Sequence, residues 1–568
     1  MPGDTQNTAS QQLNQLFTDE WETRMQEDPW LATVCGDPRF NDRLPSVTEA
    51  DAARRAGQDR TFLARLLTIE RAALPPEDQL NYDIFARELN NRLLEYGFEA
   101  YTMPVSRLSG FQINFPDLPA LTPFKTARDY ENYIRRLNAF AEYCQQNIAL
   151  MRAGMRRGYI PARPALSGIE ESLRSLLAVG PRQSVFYQPF QRFPPSIDPS
   201  LQGELSEAGA AAIAGPVSKG YQALLKFMTE DYVPAARAAI AAAALPDGAA
   251  YYAYCVRRFT TLDLTPEQVH ATGLAEVRRI RAEMEASMRQ AGFNGTFHEF
   301  LAFLRSDPRF FVDTPQALMK EVALIMKKID GELPTLFKQL PRLPYGLREV
   351  PAYSAPDQTS AYYMPPPGDG STAGFYYVNT YDLKSRPLYE YEALSLHEAV
   401  PGHHLQLALQ LELSGVPQFR RFTDMTAFIE GWALYAERLG LEMGFYQDAY
   451  SNFGRLTYEM WRAARLVVDT GMHALGWTRQ QAIDFMAENT ALSHLNIANE
   501  VDRYIAWPGQ ALAYKTGELK IRELRARCEQ AFGAAFDVCE FHKVVLQNGA
   551  IPLDVLEAVV NQWIKDLS

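Results

Sequence analysis

Over most of the chain, apolar residues recur at helical spacing and the gaps between them carry helix-start signals. Tyr130, Tyr133, Ile134, Leu137, Ala141, Cys144, Ile148 and Met151 keep one face of a long helix, and Thr126 with Asp129 supplies its capping box. Thr265-Pro266-Glu267-Gln268 combines an N-cap, a proline at the first helical position and a capping partner, ahead of an amphipathic run that ends near Gly292. Thr478 with Gln481 opens a third helix directly after Gly476-Trp477. The pattern predicts a mainly α fold.

Two stretches depart from it. From Pro341 to Pro387 prolines, glycines and tyrosines replace the helical period, and Gly374-Phe375-Tyr376-Tyr377-Val378-Asn379-Thr380 is rich in β-formers, which predicts a short strand. Ala208 to Gly220 is expected to be a loosely ordered connection, and residues 1–12 a disordered start. The expected organisation is an N-terminal helical half over residues 13–340, covering a deep cleft, and a catalytic half over residues 341–568.

Charge narrows the partners. Lys and Arg number 56 against 68 Asp and Glu, a balance of −12 with no basic tract, so neither nucleic acid nor an anionic membrane is an expected partner. The Ala-rich run from Ala235 to Leu245 is broken by Arg237 and is far shorter than the roughly 20 residues of a membrane span. The polar start Met-Pro-Gly-Asp-Thr-Gln lacks a secretory signal, which leads to a cytoplasmic expectation unless a leader has been removed. Five scattered cysteines contain no CxxC pair, so any metal here needs histidine and carboxylate ligands.

Five of the eight histidines (His397, His403, His404, His473 and His494) fall within one C-terminal stretch. There Leu396-His397-Glu398-Ala399-Val400-Pro401-Gly402-His403-His404 is close to the HExxH pattern, with extra residues between the histidines. In a regular helix, positions i and i+4 share a face, whereas i+6 lies about 120° round and about 9 Å along. Pro401 cannot donate to the His397 carbonyl and Gly402 tolerates the resulting dihedrals, so the helix must bulge. A two-residue bulge brings His403 to the i+4 position; a three-residue bulge makes His404 the alternate ligand. Glu398, adjacent to the first ligand, is placed to act as general base on a metal-activated water. A third ligand is expected from Glu430 in Phe428-Ile429-Glu430-Gly431-Trp432-Ala433-Leu434-Tyr435-Ala436-Glu437, with Glu437 on the same face orienting a histidine or holding an arginine. This ligand set favours Zn2+, although other divalent metals bind such groups.

His-Glu-Ala-Val-Pro-Gly-His-His followed by Glu-Gly-Trp-Ala-Leu-Tyr-Ala-Glu resembles the bacterial domain-of-unknown-function family 885, whose members resemble helical zinc peptidases of the gluzincin type. The resemblance extends to the stretch Arg462 to His473 and to Pro508 to Lys515, and more weakly to the N-terminal half. His494, with Tyr504 ten residues on, is similar to the segment of angiotensin-converting-enzyme-like dipeptidases that supplies a histidine and a tyrosine to the transition state. Those enzymes have an uninterrupted HExxH, from which the Pro-Gly insert departs. The resemblance thus implies that His494 and Tyr504 stabilise an oxyanion.

Arg465, Asp469 and His473 share a helical face that either binds a substrate terminus or forms a satisfied ion-pair ladder. Arg503 and Lys515 are candidates for a substrate carboxylate, a structural role being the alternative. The strand from Phe375 would suit backbone pairing with an extended peptide. Together these readings predict a zinc-dependent hydrolase of peptide or related amide bonds. Its rivals are a metal-containing peptide or metabolite binder without catalysis, and a zinc hydrolase of a non-peptide amide or ester.

Overall fold

The capping boxes form where the sequence puts them. In this computed structural model, which describes residues 2–352, 355–370 and 372–567, the Thr126 amide donates to Asp129 at 2.8 Å, Thr265 to Gln268 at 2.9 Å and Thr478 to Gln481 at 2.8 Å. Helices hold 72% of the chain and only three strands form among the described residues, so the fold is mainly α. The chain divides into two compact units, residues 1–251 and 252–568.

The first unit contains α1 (Pro2–Glu27), α2 (Glu49–Leu67), α3 (Pro76–Gly97), α4 (Ala127–Arg157), α5 (Pro199–Ala212) and α6 (Ser218–Phe227). Residues 2–12, expected to be disordered, extend α1; Leu13, Leu16 and Phe17 bury its next turns, and adding helix to an anchored segment gains one hydrogen bond per residue. Met1 lies outside the described residues. The stretch expected to be a loose connection is helical as well. A wide turn over Ile213–Val217, around Pro216, joins α5 to α6. Gly220 lets α6 lie against α4, since a Cβ there would meet Phe140 at 2.9 Å and Cys144 Sγ at 3.1 Å. Leu137, Phe140, Tyr221 and Leu224 are buried at that contact, each worth about 1.5–3 kcal/mol of transfer free energy.

The second unit contains α7 (Pro266–Gln290), α8 (Pro315–Leu336), β1 (Tyr345–Glu349), β2 (Ala361–Met364), β3 (Gly374–Val378), α9 (Tyr391–Glu398), α10 (His403–Leu411), α11 (Thr426–Leu439), α12 (Ala449–His473), α13 (Arg479–Asn489), α14 (His494–Ala506), α15 (Ala513–Phe532) and α16 (Val538–Leu546). Helix α12 is buried along most of its length, and α7 packs closely on it at Gly273, where a Cβ would stand 2.7 Å from Leu466 Cβ. The predicted strand is β3. It pairs in parallel with β1 (Tyr345 opposite Gly374) and antiparallel with β2 (Ala361 opposite Val378). Being central, β3 has both backbone edges occupied, so the expected pairing of a peptide along it is not available; the outer edges belong to β1 and β2. Among the described residues no helix is long and apolar enough to cross a membrane.

Candidate metal centre

Helix α9 ends at Glu398 and α10 begins at His403, so the expected bulge is a complete break. Ala399 donates to the Ser395 carbonyl at 3.0 Å, and His404 then donates back to the Ala399 carbonyl at 2.9 Å. The Val400–Pro401 peptide between them is cis. Two contacts hold this turn. The Pro401 carbonyl accepts from Trp432 Nε1 of α11 at 2.8 Å, and the Gly402 backbone lies against α9 so closely that a Cβ would stand 1.9 Å from the His397 carbonyl oxygen. No side chain fits at Gly402. The turn brings His403 beside His397, with ring centroids 4.7 Å apart and planes at 89°.

Helix α11 supplies the third group. It crosses α15 with Gly431 against Gly517, where a Cβ on Gly431 would lie 2.4 Å from the Gly517 Cα. The adjacent Glu430 directs Oε2 to within 3.5 Å of His397 Nε2 and 3.4 Å of His403 Nε2. That oxygen is buried with no hydrogen-bond partner among the described residues. A tetrahedral ion with bonds of about 2.0–2.1 Å separates neighbouring ligands by about 3.4 Å, so these residues fit a small divalent cation. All three ligand atoms lie within 4.8 Å of one another.

His397 Nδ1 bonds Glu437 Oε1 at 2.8 Å, which turns Nε2 toward the shared position. Burial disfavours charge on this imidazole, but Glu430 and Glu437 outweigh it and hold its pKa up at about 9 without metal. Burial likewise opposes ionisation of Glu430, yet His403 and His397 keep it well below the usual carboxylate range. A bound cation would take the place of the proton this site gathers. Glu398, one residue past His397, is 9% exposed.

His404, the alternate ligand, is turned away. Its Nδ1 accepts from Tyr363 of β2 at 2.7 Å and its Nε2 donates to the Leu343 carbonyl at 3.0 Å. Burial pushes its pKa down to about 4, so it is a neutral strut to the sheet.

The remaining candidates separate. His494 begins α14 and is exposed, whereas the Tyr504 hydroxyl is buried, donating to Glu500 at 2.8 Å and accepting from Arg465 and Trp461 at 3.0 Å each. They do not meet at a common point. Asp469 accepts from Tyr252 at 2.6 Å and from the Gly509 amide at 3.1 Å, and His473 bonds the Tyr504 carbonyl at 2.9 Å, so both are satisfied internally. Lys515 is fully buried among Glu276, Glu459 and Glu518 at 2.8–3.1 Å. It is therefore spent on structure. Arg503 donates to Gln510 at 3.2 Å. The sequence reading assigned no role to Trp432, Tyr363 or Arg462, whose Nη2 is 3.9 Å from Glu437 Oε1. Trp432 and Arg462 lie within quoted motifs and were open to notice; the link from Tyr363 to His404 depends on sheet pairing and was not.

Fold and site define a helical protein with a His-His-Glu cluster, His397 buried and His403 and Glu430 half-buried, beside a glutamate. The chain belongs to the family described as bacterial protein of unknown function (DUF885), whose model matches residues 29–560. It is similar to a solved structure described as a "putative lipoprotein" from Colwellia psychrerythraea, at 28% identity and TM-score 0.92 over 98% of this chain and 99% of the other. A second, from Shewanella oneidensis and described in the same words with "unknown function" added, has 17% identity, TM-score 0.73 and coverage of 97% and 99%; it shows the fold alone. No curated protein matches the chain.

Proposed function

We propose that this protein is a zinc-dependent hydrolase of peptide or related amide bonds. The observation that carries the reading is the buried Glu430 oxygen, without a hydrogen-bond partner among the described residues, lying 3.4 and 3.5 Å from two imidazole nitrogens beside Glu398. His397, His403 and Glu430 would hold the ion, with Glu437 fixing the tautomer of His397. A bound zinc supplies Lewis acidity toward water and the scissile carbonyl. Glu398 accepts the proton of the attacking water and returns it to the leaving amine. His494 is exposed and the Tyr504 hydroxyl is committed to Glu500, so neither is given the oxyanion role the resemblance implied.

Digestion of a peptide library followed by mass spectrometry tests this. Time-dependent products that stop with a chelator and return with zinc are expected; saturable binding without products would make the protein a binder. The cytoplasmic expectation stands against the lipoprotein descriptions of the two similar structures, and fractionation of cells expressing the full gene decides between them.

A further inference from the structure

Three guanidinium groups of the second unit gather around one aromatic wall. Arg462 and Arg465 of α12 lie 4.3 and 4.4 Å from the Trp461 ring, and Tyr514 of α15 is 4.3 Å from Arg465. Arg503 of α14 reaches the Tyr514 hydroxyl at 3.4 Å. Within ion-pairing distance they meet two carboxylates among the described residues: Glu500, 2.9 Å from Arg465, and Glu437, 3.9 Å from Arg462 and already bonded to His397. Arg462 Nε and Nη1, Arg465 Nη1 and Arg503 Nε are buried with no acceptor among the described residues. Arg462 is 4% exposed and Arg465 2%.

An arginine does not shed its proton, and a buried cation without a counter-charge is costly. Three cations with one dedicated carboxylate therefore form a receptor for an anion. A carboxylate suits it, because two parallel N–H groups of a guanidinium match its two oxygens. The rings of Tyr458, Trp461 and Tyr514 lie against the Arg462 and Arg465 guanidinium groups and hold them in place by cation–π contact. Arg462 also touches the carboxylate that holds His397, which puts the cluster next to the candidate metal centre.

We infer that Arg462, Arg465 and Arg503 receive the free C-terminal carboxylate of a peptide substrate, so that cleavage occurs near a C-terminus rather than inside a chain. This assignment rests on the hydrolase reading above. Isothermal titration of N-acetyl-phenylalanine and of its C-terminal amide into the full-length protein, zinc-loaded and chelator-treated, tests it without turnover.

The acid should bind about tenfold to hundredfold more tightly than the amide in both preparations, as expected for charge-assisted hydrogen bonds. Arg462→Gln and Arg503→Gln should each remove most of that difference while keeping wild-type circular dichroism, and Arg503→Gln, which does not touch Glu437, should keep wild-type zinc content as well. Equal binding of acid and amide, or a difference untouched in both variants, would overturn the assignment. Acetate binding as tightly as the acetylated amino acid would also overturn it, marking a free-anion site. Acid preference without cleavage of any peptide sinks the hydrolase reading but leaves an anion site; cleavage indifferent to C-terminal amidation does the reverse.

Discussion

Replacing Gly431 with Ala changes no candidate ligand, yet it should disable the metal centre. The new Cβ would lie 2.4 Å from the Gly517 Cα and 2.5 Å from the Gly517 carbonyl carbon. Non-bonded carbons rest about 3.5–4.0 Å apart, so α11 and α15 must separate by about 1 Å or more. Glu430 is the residue just before Gly431 in α11, and metal–ligand distances tolerate only about 0.2 Å. Zinc affinity should fall at least about tenfold to hundredfold, the range seen when the support of a metal ligand is removed. Overpacking should also cost about 1–3 kcal/mol of stability. Chelator-competition titration reads the first effect and denaturant unfolding the second. Gly57→Ala is the control: Gly57 lies within α2 with nothing inside 4 Å of its added Cβ, and the change should stabilise by about 0.5–1 kcal/mol without altering zinc affinity. A folded Gly431→Ala protein with wild-type zinc affinity would refute the claim that this helix crossing positions Glu430.

Other outcomes follow from the same geometry. His403→Asn should lose zinc, whereas His404→Asn should keep it and lose about 1–3 kcal/mol of stability through the unpaired Tyr363 hydroxyl and Leu343 carbonyl; metal analysis and melting curves of both variants check this. Glu437→Gln should weaken zinc binding about tenfold to hundredfold by chelator competition, and unchanged affinity would deny it the orienting role. His542 is fully buried, bonding the Leu336 carbonyl and the Tyr435 hydroxyl at 2.9 Å each, and burial lowers its pKa to about 4 from an ordinary 6.5. Between those values the unfolded chain binds the extra proton, so stability falls as pH falls, by about 3 kcal/mol from this residue at pH 4. Denaturant unfolding of His542→Gln should show a shallower pH slope over that window, and a slope equal to the wild type would contradict the assignment.

Local signals in the sequence carried much of this structure because their physics is local. Capping boxes at Thr126, Thr265 and Thr478 need only residues three apart, and each one forms. The Pro-Gly insert, which breaks the His397 helix, likewise depends on nearby backbone, and it brings His397 and His403 together with the more distant Glu430. What escaped the sequence depends on tertiary placement. β1 and β2 lack a clear period of their own and exist through pairing with β3, so neither the strut from Tyr363 to His404 nor the central position of β3 was visible. The spacing of His494 and Tyr504 did not reveal that Ser493 caps α14 and leaves His494 in solvent. Arg465, Asp469 and His473 looked equivalent along one face of α12, and only packing separates Asp469, satisfied by Tyr252 and Gly509, from Arg465, whose Nη1 has no acceptor among the described residues.

The central claim is that His397, His403 and Glu430 hold a catalytic ion and Glu398 moves the proton. Its most direct test measures zinc stoichiometry and peptide turnover on the same preparations of wild type and Glu398→Gln. One zinc per chain in both proteins, with turnover only in the wild type, is the predicted result. Turnover retained by Glu398→Gln, or wild-type protein that binds no zinc and still cleaves, would contradict it.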